Sequence, residues 1–328
     1  ESVTYVSDAK TGLHGIVAIH NTRRGPAFGG CRVWTYATPA AALNDVLRLS
    51  RGMSYKNAMA GLPFGGGKAV IMREPGQVIT DEQFEAFGKA VNDLGGRYIT
   101  AEDVGVSVRS MELVSRHTPY VSGLHKEGAA TGLRDGDPSP RTALGVFSGL
   151  KSAVRARLGR SDLTGLRVAV QGLGNVGFNL CELLHEAGAV LTVADLNSAT
   201  VETAQRRFGA RVASVDEILF QDVDVISPCA LGGILNGKSI PQLKATVVAG
   251  GANNQLATDT DGQRLHERGI LYAPDYVINA GGIIWCSADY MGEQDEAGVI
   301  ARVRHIGETL HGIFAESKEQ GLPPRVRG

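Results

Sequence analysis

The chain lacks most of what would tie it to a membrane, a nucleic acid or an oxidising compartment. No apolar stretch in its 328 residues approaches the roughly 20 needed to cross a bilayer, so no membrane-spanning helix is expected. No run of basic residues occurs and the net charge is −1, which argues against nucleic acid and anionic membranes as partners. The four cysteines, Cys31, Cys181, Cys229 and Cys286, are scattered with no C-x-x-C spacing. Reduced thiols in a cytoplasm are the simplest account. No signal peptide, internal repeat or low-complexity tract is visible. No metal site is expected.

What is plentiful is glycine, 43 of 328 residues, roughly twice the usual ~7%. Many tight loops with close backbone approach follow. Apolar residues at 43% and charged residues at 20% fit a globular protein, and the length suits two domains.

The stretch at 55–70, Y-K-N-A-M-A-G-L-P-F-G-G-G-K-A-V, holds Lys56 and Lys68 on either side of a glycine-rich turn. Helical spacing of Leu43, Val46, Leu47 and Met53 places Lys56 near the end of a helix over 39–60. The run at 69–71 places Lys68 at the mouth of a strand, and Gly65, Gly66 and Gly67 let a ligand or a backbone come close. Two ammonium groups facing one cleft destabilise each other, so one could act as a base while the other binds a carboxylate. The plain alternative is two solvated surface lysines. A phosphate loop of the G-x-x-x-x-G-K-[ST] kind is disfavoured because Ala69 follows the lysine.

Along the chain, residues 3–36 read as strands, with a buried strand at 15–20 and a turn at 25–32. Residues 81–95 read as a helix capped by Asp81, with Phe84, Phe87, Val91 and Leu94 on one face. A short strand at 97–100 ends in A-E-D-V-G at 101–105. Residues 124–141 read as a loop at a domain boundary. A helix over about 142–157 follows. Then come a strand at 166–171, the turn Gly172-Leu173-Gly174-Asn175-Val176-Gly177, a helix to about 187 and a strand at 189–194 ending at Asp195. This is a βαβ start with G-x-G-x-x-G and an acid in register for a dinucleotide. The glycines admit the pyrophosphate, the helix N-terminus favours its charge, and Asp195 can bind the ribose. Strands at 223–226, 245–250 and 270–272 continue a doubly wound parallel sheet, whose loops at 228–230, 251–254 and 279–282 fall at strand ends. Residues 294–320 read as one long helix.

Taken together, these stretches resemble the NAD(P)-dependent amino acid dehydrogenases of the glutamate, leucine, phenylalanine and valine dehydrogenase family, closest to the leucine and valine members. The motifs that carry the likeness are G-P-A-F-G-G at 25–30, the 55–68 stretch, A-E-D-V-G at 101–105, Q-G-L-G-N-V-G at 171–177, P-C-A-L-G-G at 228–233, G-A-N-N-Q-L at 251–256 and Y-A-P-D-Y-V-I-N-A-G-G at 272–282. The resemblance implies an α/β fold of two domains with the active site in the cleft between them. Residues 1–136, with about 312–328, would form a substrate-binding and oligomerisation domain, and 137–311 a Rossmann-like domain. It implies NAD as cofactor and oxidative deamination of an L-amino acid to a 2-oxo acid and ammonia by a cytoplasmic homo-oligomer. By the same likeness Lys56 binds the α-carboxylate, Lys68 works with the substrate carbonyl and water, and Asp103 exchanges protons with the amine. Phe28, Gly29, Met53, Ala101, Asn254, Ile283 and Cys286 would contact the substrate. Thr142, Gly172, Gly174, Asn175, Val176, Gly177, Asp195, Cys229, Ala230 and Asn253 would contact the cofactor.

Glutamate enzymes of the family carry a lysine where Phe28 stands, so a hydrophobic substrate is expected. Leucine, isoleucine or valine is favoured, with phenylalanine as the alternative if Phe28 stacks on the ring near Trp285. Two features depart from the family: relatives carry a further helix after the point where this chain ends, and the loop around 135–137 is slightly longer. A hydroxy-acid dehydrogenase would need a His–Arg–acid set, and none of the eight histidines sits in a motif. A non-catalytic NAD-binding regulator is the remaining alternative.

Overall fold

The computed structural model describes residues 2–124 and 137–324. The 125–136 part of the boundary loop and the chain end at 325–328 lie outside the described residues. Contacts divide the chain into two compact units, Glu1–Pro138 with Ile283–Val299 and Ser139–Gly282 with Ile300–Gly328.

The first unit is built on a mixed sheet of β1 (Ser2–Asp8), β2 (Leu13–Asn21), β3 (Ala27–Phe28), β4 (Cys31–Trp34), β5 (Gly65–Met72) and β6 (Tyr98–Ile99). Its order is β1-β2-β5-β3-β6, with β4 also on β5. β1, β2 and β5 run antiparallel, whereas β3 and β4 lie parallel to β5. Side chains alternate between the two faces. Ile16, Ala18 and Val70 meet α1 (Pro39–Met59), while Val17, Ile19, Ala69 and Ile71 belong to the core that holds Phe84, Phe87 and Met111. Those last residues come from α2 (Asp81–Asp93) and α3 (Val108–Ser115).

Helix α1 starts where Thr38 accepts a bond from the Ala41 amide and Pro39 supplies a preset first residue. It buries Ala42, Val46, Leu49, Met53 and Asn57, a stripe at helical spacing. Helix α2 is capped one residue earlier than expected. Thr80, not Asp81, adopts the extended cap conformation and forms a capping box with Gln83. The strand expected to begin after the triple glycine instead begins at Gly65, which pairs with Ala27, so the glycines lie inside the sheet. Helix α3 has no counterpart in the sequence reading, because its eight residues are too short for a clear period.

The second unit opens with α4 (Ser139–Leu158) and carries a sheet of β7 (Arg167–Gln171), β8 (Val190–Ala194), β9 (Arg211–Val212), β10 (Val225–Pro228), β11 (Val247–Val248) and β12 (Leu271–Tyr272). All pairs are parallel, in the order β12-β11-β10-β7-β8-β9. That is the doubly wound arrangement with its switch point between β7 and β10. Val168, Ala169 and Val170 are all buried, as strands covered on both faces require. Helices α5 (Asn175–Glu186) and α6 (Ser198–Phe208) follow β7 and β8, and α7 (Asp261–Glu267) and α8 (Asp275–Ile278) flank β12.

The remaining helices are α9 (Gly281–Tyr290), α10 (Glu296–Arg304) and α11 (Ile306–Gln320). The single helix expected over 294–320 is therefore two, interrupted at His305. The buried stripe Val299, Val303, Ile306, Leu310 and Phe314 runs through the break, which is why periodicity alone reads it as continuous. Residues 312–328 were expected to return to the first domain. The described part of that segment, the end of α11 and residues 321–324, is grouped instead with the second unit, where α11 packs on α4 and α8. Residues 283–299 are the segment grouped with the first unit.

Candidate active site

In the first unit the alternation of β5 turns Lys68 to the same face as Val70, the face covered by α1. Helix α1 carries Lys56 in its last turn. Lys68 is only 4% exposed, so the plain reading of a solvated lysine fails for it. The three glycines before it serve backbone packing: a methyl group on Gly65 would strike the Asn21 carbonyl, and one on Gly66 the Ser54 amide. They let β5 lie flush against α1 and β2, so close backbone approach is what they provide.

Asp103 sits in the turn that follows β6. The chain there runs beside β4, with the Cys31 amide donating to the Ala101 carbonyl and the Val33 amide to the Val104 carbonyl. This brings the Asp103 carboxylate to Lys68, with Nζ to Oδ2 at 2.9 Å. Arg32 on β4 donates from Nε to the same oxygen at 3.1 Å. Burial by itself would raise the Asp103 carboxyl, but Lys68 and Arg32 outweigh it and hold the group well below the usual carboxylate range. Asp103 is therefore ionised, held as a carboxylate by its two cationic partners. Its neighbour Glu102 behaves oppositely. Burial first and Asp137 second push it up from the ordinary 4.5 to about 8. Burial also pushes the Cys31 thiol far up, which removes it as a nucleophile.

The residues expected to contact a side chain fall in the same unit. Met53 lies against Gly29, where a methyl group would also strike the Gly67 carbonyl. The buried Tyr98 hydroxyl donates to the Gly29 carbonyl at 2.6 Å. Asn57 ties two strands together, donating from Nδ2 to the Phe28 carbonyl at 3.2 Å and the Gly65 carbonyl at 2.5 Å. Ala101, Ile283 and Cys286 are buried. Ser122 holds α9 through bonds to the Cys286 carbonyl at 2.7 Å and to Asp289 at 3.1 Å. Phe28 is 0% exposed. Its ring stands edge-on to Phe64, with centroids 5.1 Å apart, and to Tyr290 at 5.9 Å. Trp285 is buried as well.

In the second unit three loops meet beyond the C-terminal ends of β7, β10 and β11. The Cys229 amide donates to the Gln171 carbonyl at 2.7 Å, and Ala230 closes on Gly172. Gly172 takes a φ of 91°, which suits glycine. Gly177 has no room for a methyl, which would strike the Gly172 carbonyl. Gly251 faces Val176 and Cys229. Asn279 donates to Asn253 Oδ1 at 2.8 Å and to the Gly251 carbonyl at 3.1 Å. Gly281 lies against Arg141 and Thr142, and Asn254 adopts a φ of 50°. Asp195 accepts from the Leu173 amide at 2.6 Å and the Asn197 amide at 2.8 Å, so the acid is locked to the glycine turn.

This turn fits a dinucleotide. The cap residue Gly174 faces open space, and no side chain caps the first amides of α5, leaving that helix end for an anion. Residues 1–120 match the family model "Glu/Leu/Phe/Val dehydrogenase, dimerisation domain". Residues 137–205 and 197–322 match "Glutamate/Leucine/Phenylalanine/Valine dehydrogenase". The chain belongs to this family of amino acid dehydrogenases. It is 47% identical over 323 residues to leucine dehydrogenase of Bacillus subtilis (strain 168), covering 98% of this chain and 87% of that protein. It is 44% identical over 327 residues to valine dehydrogenase of Streptomyces virginiae, covering 99% and 90%. The crystal structure of L-tryptophan dehydrogenase from Nostoc punctiforme superposes with a TM-score of 0.77 at 44% identity, covering 99% of this chain and 92% of that one. Family membership makes the protein an oxidoreductase acting on amino acids with a nicotinamide cofactor.

Sequence reasoning assigned no role to Arg32, Tyr36, Asp45, Asn57 or Tyr98. Their signal was present but local: Arg32 is a cation inside a four-residue strand, and Asn57 follows Lys56 on the buried face of α1. A buried charged or amide group needs a partner. The partners are distant in sequence, so only the fold identifies them. No group of three or more potential metal ligands occurs among the described residues, and none of the described helices is long and apolar enough to cross a membrane.

Proposed function

We propose that this protein catalyses the reversible NAD-dependent oxidative deamination of branched-chain L-amino acids, giving the 2-oxo acid and ammonia. The observation that carries the reading is the buried Lys68–Asp103 pair on the sheet face shared with the Lys56 end of α1. Lys56 offers a cation to the substrate α-carboxylate. Asp103, ionised, takes a proton from the substrate amine. Lys68 directs the water that replaces nitrogen at the α-carbon. Bound NAD supplies the hydride acceptor, and Gly172, Gly174, Asn175, Val176 and Gly177 would hold its pyrophosphate. Asp195 would meet the ribose hydroxyls and repel a 2′-phosphate, so NAD is preferred over NADP.

The burial of the apolar side chains Phe28, Ala101, Ile283 and Cys286 supports an apolar substrate, because an unpaired distal carboxylate is costly to bury. The similarity to a tryptophan dehydrogenase favours a second reading, an aromatic amino acid. Phe28 weighs against it as the stacking partner. Freeing its ring means breaking two edge contacts, each worth about 0.5–1.5 kcal/mol, for one new one of the same size. The match to a dimerisation domain supports a homo-oligomer, and four free cysteines support a reducing cytoplasm.

The test is a spectrophotometric screen of the twenty L-amino acids with NAD⁺ and NADP⁺. Highest kcat/KM on leucine, isoleucine or valine with NAD⁺ is expected. A preference for glutamate overturns the substrate reading, and equal kcat/KM for the two cofactors overturns the role of Asp195. NADH binding without any turnover would leave a non-catalytic regulator.

A further inference from the structure

Asp103 presents its two oxygens differently. Oδ2 accepts from both Lys68 Nζ and Arg32 Nε, at 2.9 and 3.1 Å. Among the described residues both hydrogen-bonded partners of the carboxylate meet Oδ2 and none meets Oδ1, and the side chain keeps 14% of its surface exposed. Lys68 alone would suffice to pair the carboxylate, so the second cation calls for an account. Arg32 is itself fixed: Nη1 donates to Asp45 Oδ2 at 3.1 Å, and the Tyr36 hydroxyl donates to that same oxygen at 2.7 Å. The planar guanidinium thus spans two carboxylates, one on α1 and one in the 101–105 turn. Arginine can do this because its donors diverge at fixed angles.

We propose that Arg32, anchored by Asp45 and Tyr36, is a positioning residue that clamps Oδ2 of Asp103 opposite Lys68 and so leaves Oδ1 aimed at the substrate amine. This rests on the reading of Asp103 as the proton acceptor. Its consequence is twofold. The fork sets the rotation of the carboxylate, and the charge keeps it ionised against burial. The titratable and charged groups around Asp103 are Lys68, Arg32, Cys31, Tyr36, Asp45 and Tyr98. Burial pushes Cys31, Tyr36 and Tyr98 up, so none of these three adds a charge near neutral pH.

Arg32→Lys and Arg32→Gln separate fork from charge. Arg32→Lys keeps a cation without the fork, and kcat should fall about tenfold or more with KM little changed, since misplacement by about 1 Å can cost ~10²-fold. Full kcat in Arg32→Lys overturns the clamp. Asp45→Asn should lower kcat in the same way, and unchanged kcat there removes Asp45 as the anchor. In Arg32→Gln one cation opposes burial in place of two. The Asp103 carboxyl band, followed by infrared titration of ¹³C-aspartate protein with Asp103→Asn as the blank, should move up by about 1 pH unit or more. An unmoved midpoint overturns the electrostatic part whatever the rate does. If Arg32→Gln fails to fold, the Arg32→Lys kinetics decide alone. Loss of turnover in Asp103→Asn with normal Arg32 variants refutes only the clamp. Normal turnover in Asp103→Asn refutes the acceptor reading and the clamp with it.

Discussion

Replacing Phe28 by leucine tests how the hydrophobic end of the site is built. Phe28 is inaccessible to water and forms one corner of an aromatic triangle: 5.1 Å to Phe64 at 86°, 5.9 Å to Tyr290 at 62°, and 6.1 Å between Phe64 and Tyr290 at 73°. Leucine keeps an apolar filling but loses two edge-to-face contacts. At about 0.5–1.5 kcal/mol each, the loss is about 1–3 kcal/mol. The reshaped packing adds less than about 1.5 kcal/mol. Guanidinium unfolding at one fixed protein concentration measures the total, since stability depends on concentration in any chain that assembles. A double-mutant cycle with Tyr290→Leu isolates the Phe28–Tyr290 contact, and a coupling of about 0.5–1.5 kcal/mol is expected. Destabilisation below about 0.5 kcal/mol, or no coupling, would refute the aromatic triangle as a structural unit. The same variant reports on specificity. Because Phe28 is enclosed by Phe64 and Tyr290, any gain of activity on larger side chains should appear also in Tyr290→Leu.

Lys68→Ala should lose about 10²–10⁴-fold in kcat in folded protein, whereas Lys56→Ala should chiefly raise KM for the amino acid; near-normal turnover of Lys68→Ala sinks the assignment. Glu102 is raised from the ordinary 4.5 to about 8, so the folded state holds a proton that the unfolded chain releases. Its contribution is fully present below the ordinary value and fades as pH rises through about 8. Glu102→Gln should therefore flatten the fall in thermal stability across that window, and an unchanged slope refutes it. Gly177→Ala should destabilise the second unit and weaken NADH binding, because the added methyl strikes the Gly172 carbonyl. Unaltered fluorescence titration with NADH would show that α5 can shift without loss.

The sequence by itself determined the elements with strong periods and singled out the candidate residues with fixed spacing. The α1 helix, the run of β7 and the register from Gly172 to Asp195 are short-range patterns, and each follows from local geometry; of the four apolar residues read on α1, Val46 and Met53 are buried, whereas Leu47 is exposed, because the packed face was set by the sheet. Lys68 and Asp103 were legible from their motifs, but nothing local says that a residue on β5 and another 35 positions later form a 2.9 Å pair. That needed the 101–104 stretch laid beside β4. Tertiary structure also decided that the three glycines belong to β5, because strand pairing with β2 and β3 overrides their preference for turns. It turned Phe28 inward onto Phe64 and Tyr290, the latter 262 positions away. And it gave Arg32 two carboxylates, one 13 and the other 71 positions distant. Spacing along a chain carries helix and strand periods and turn chemistry. Which buried charge meets which is set by sheet order and helix packing, and those arise only when the apolar faces are buried together.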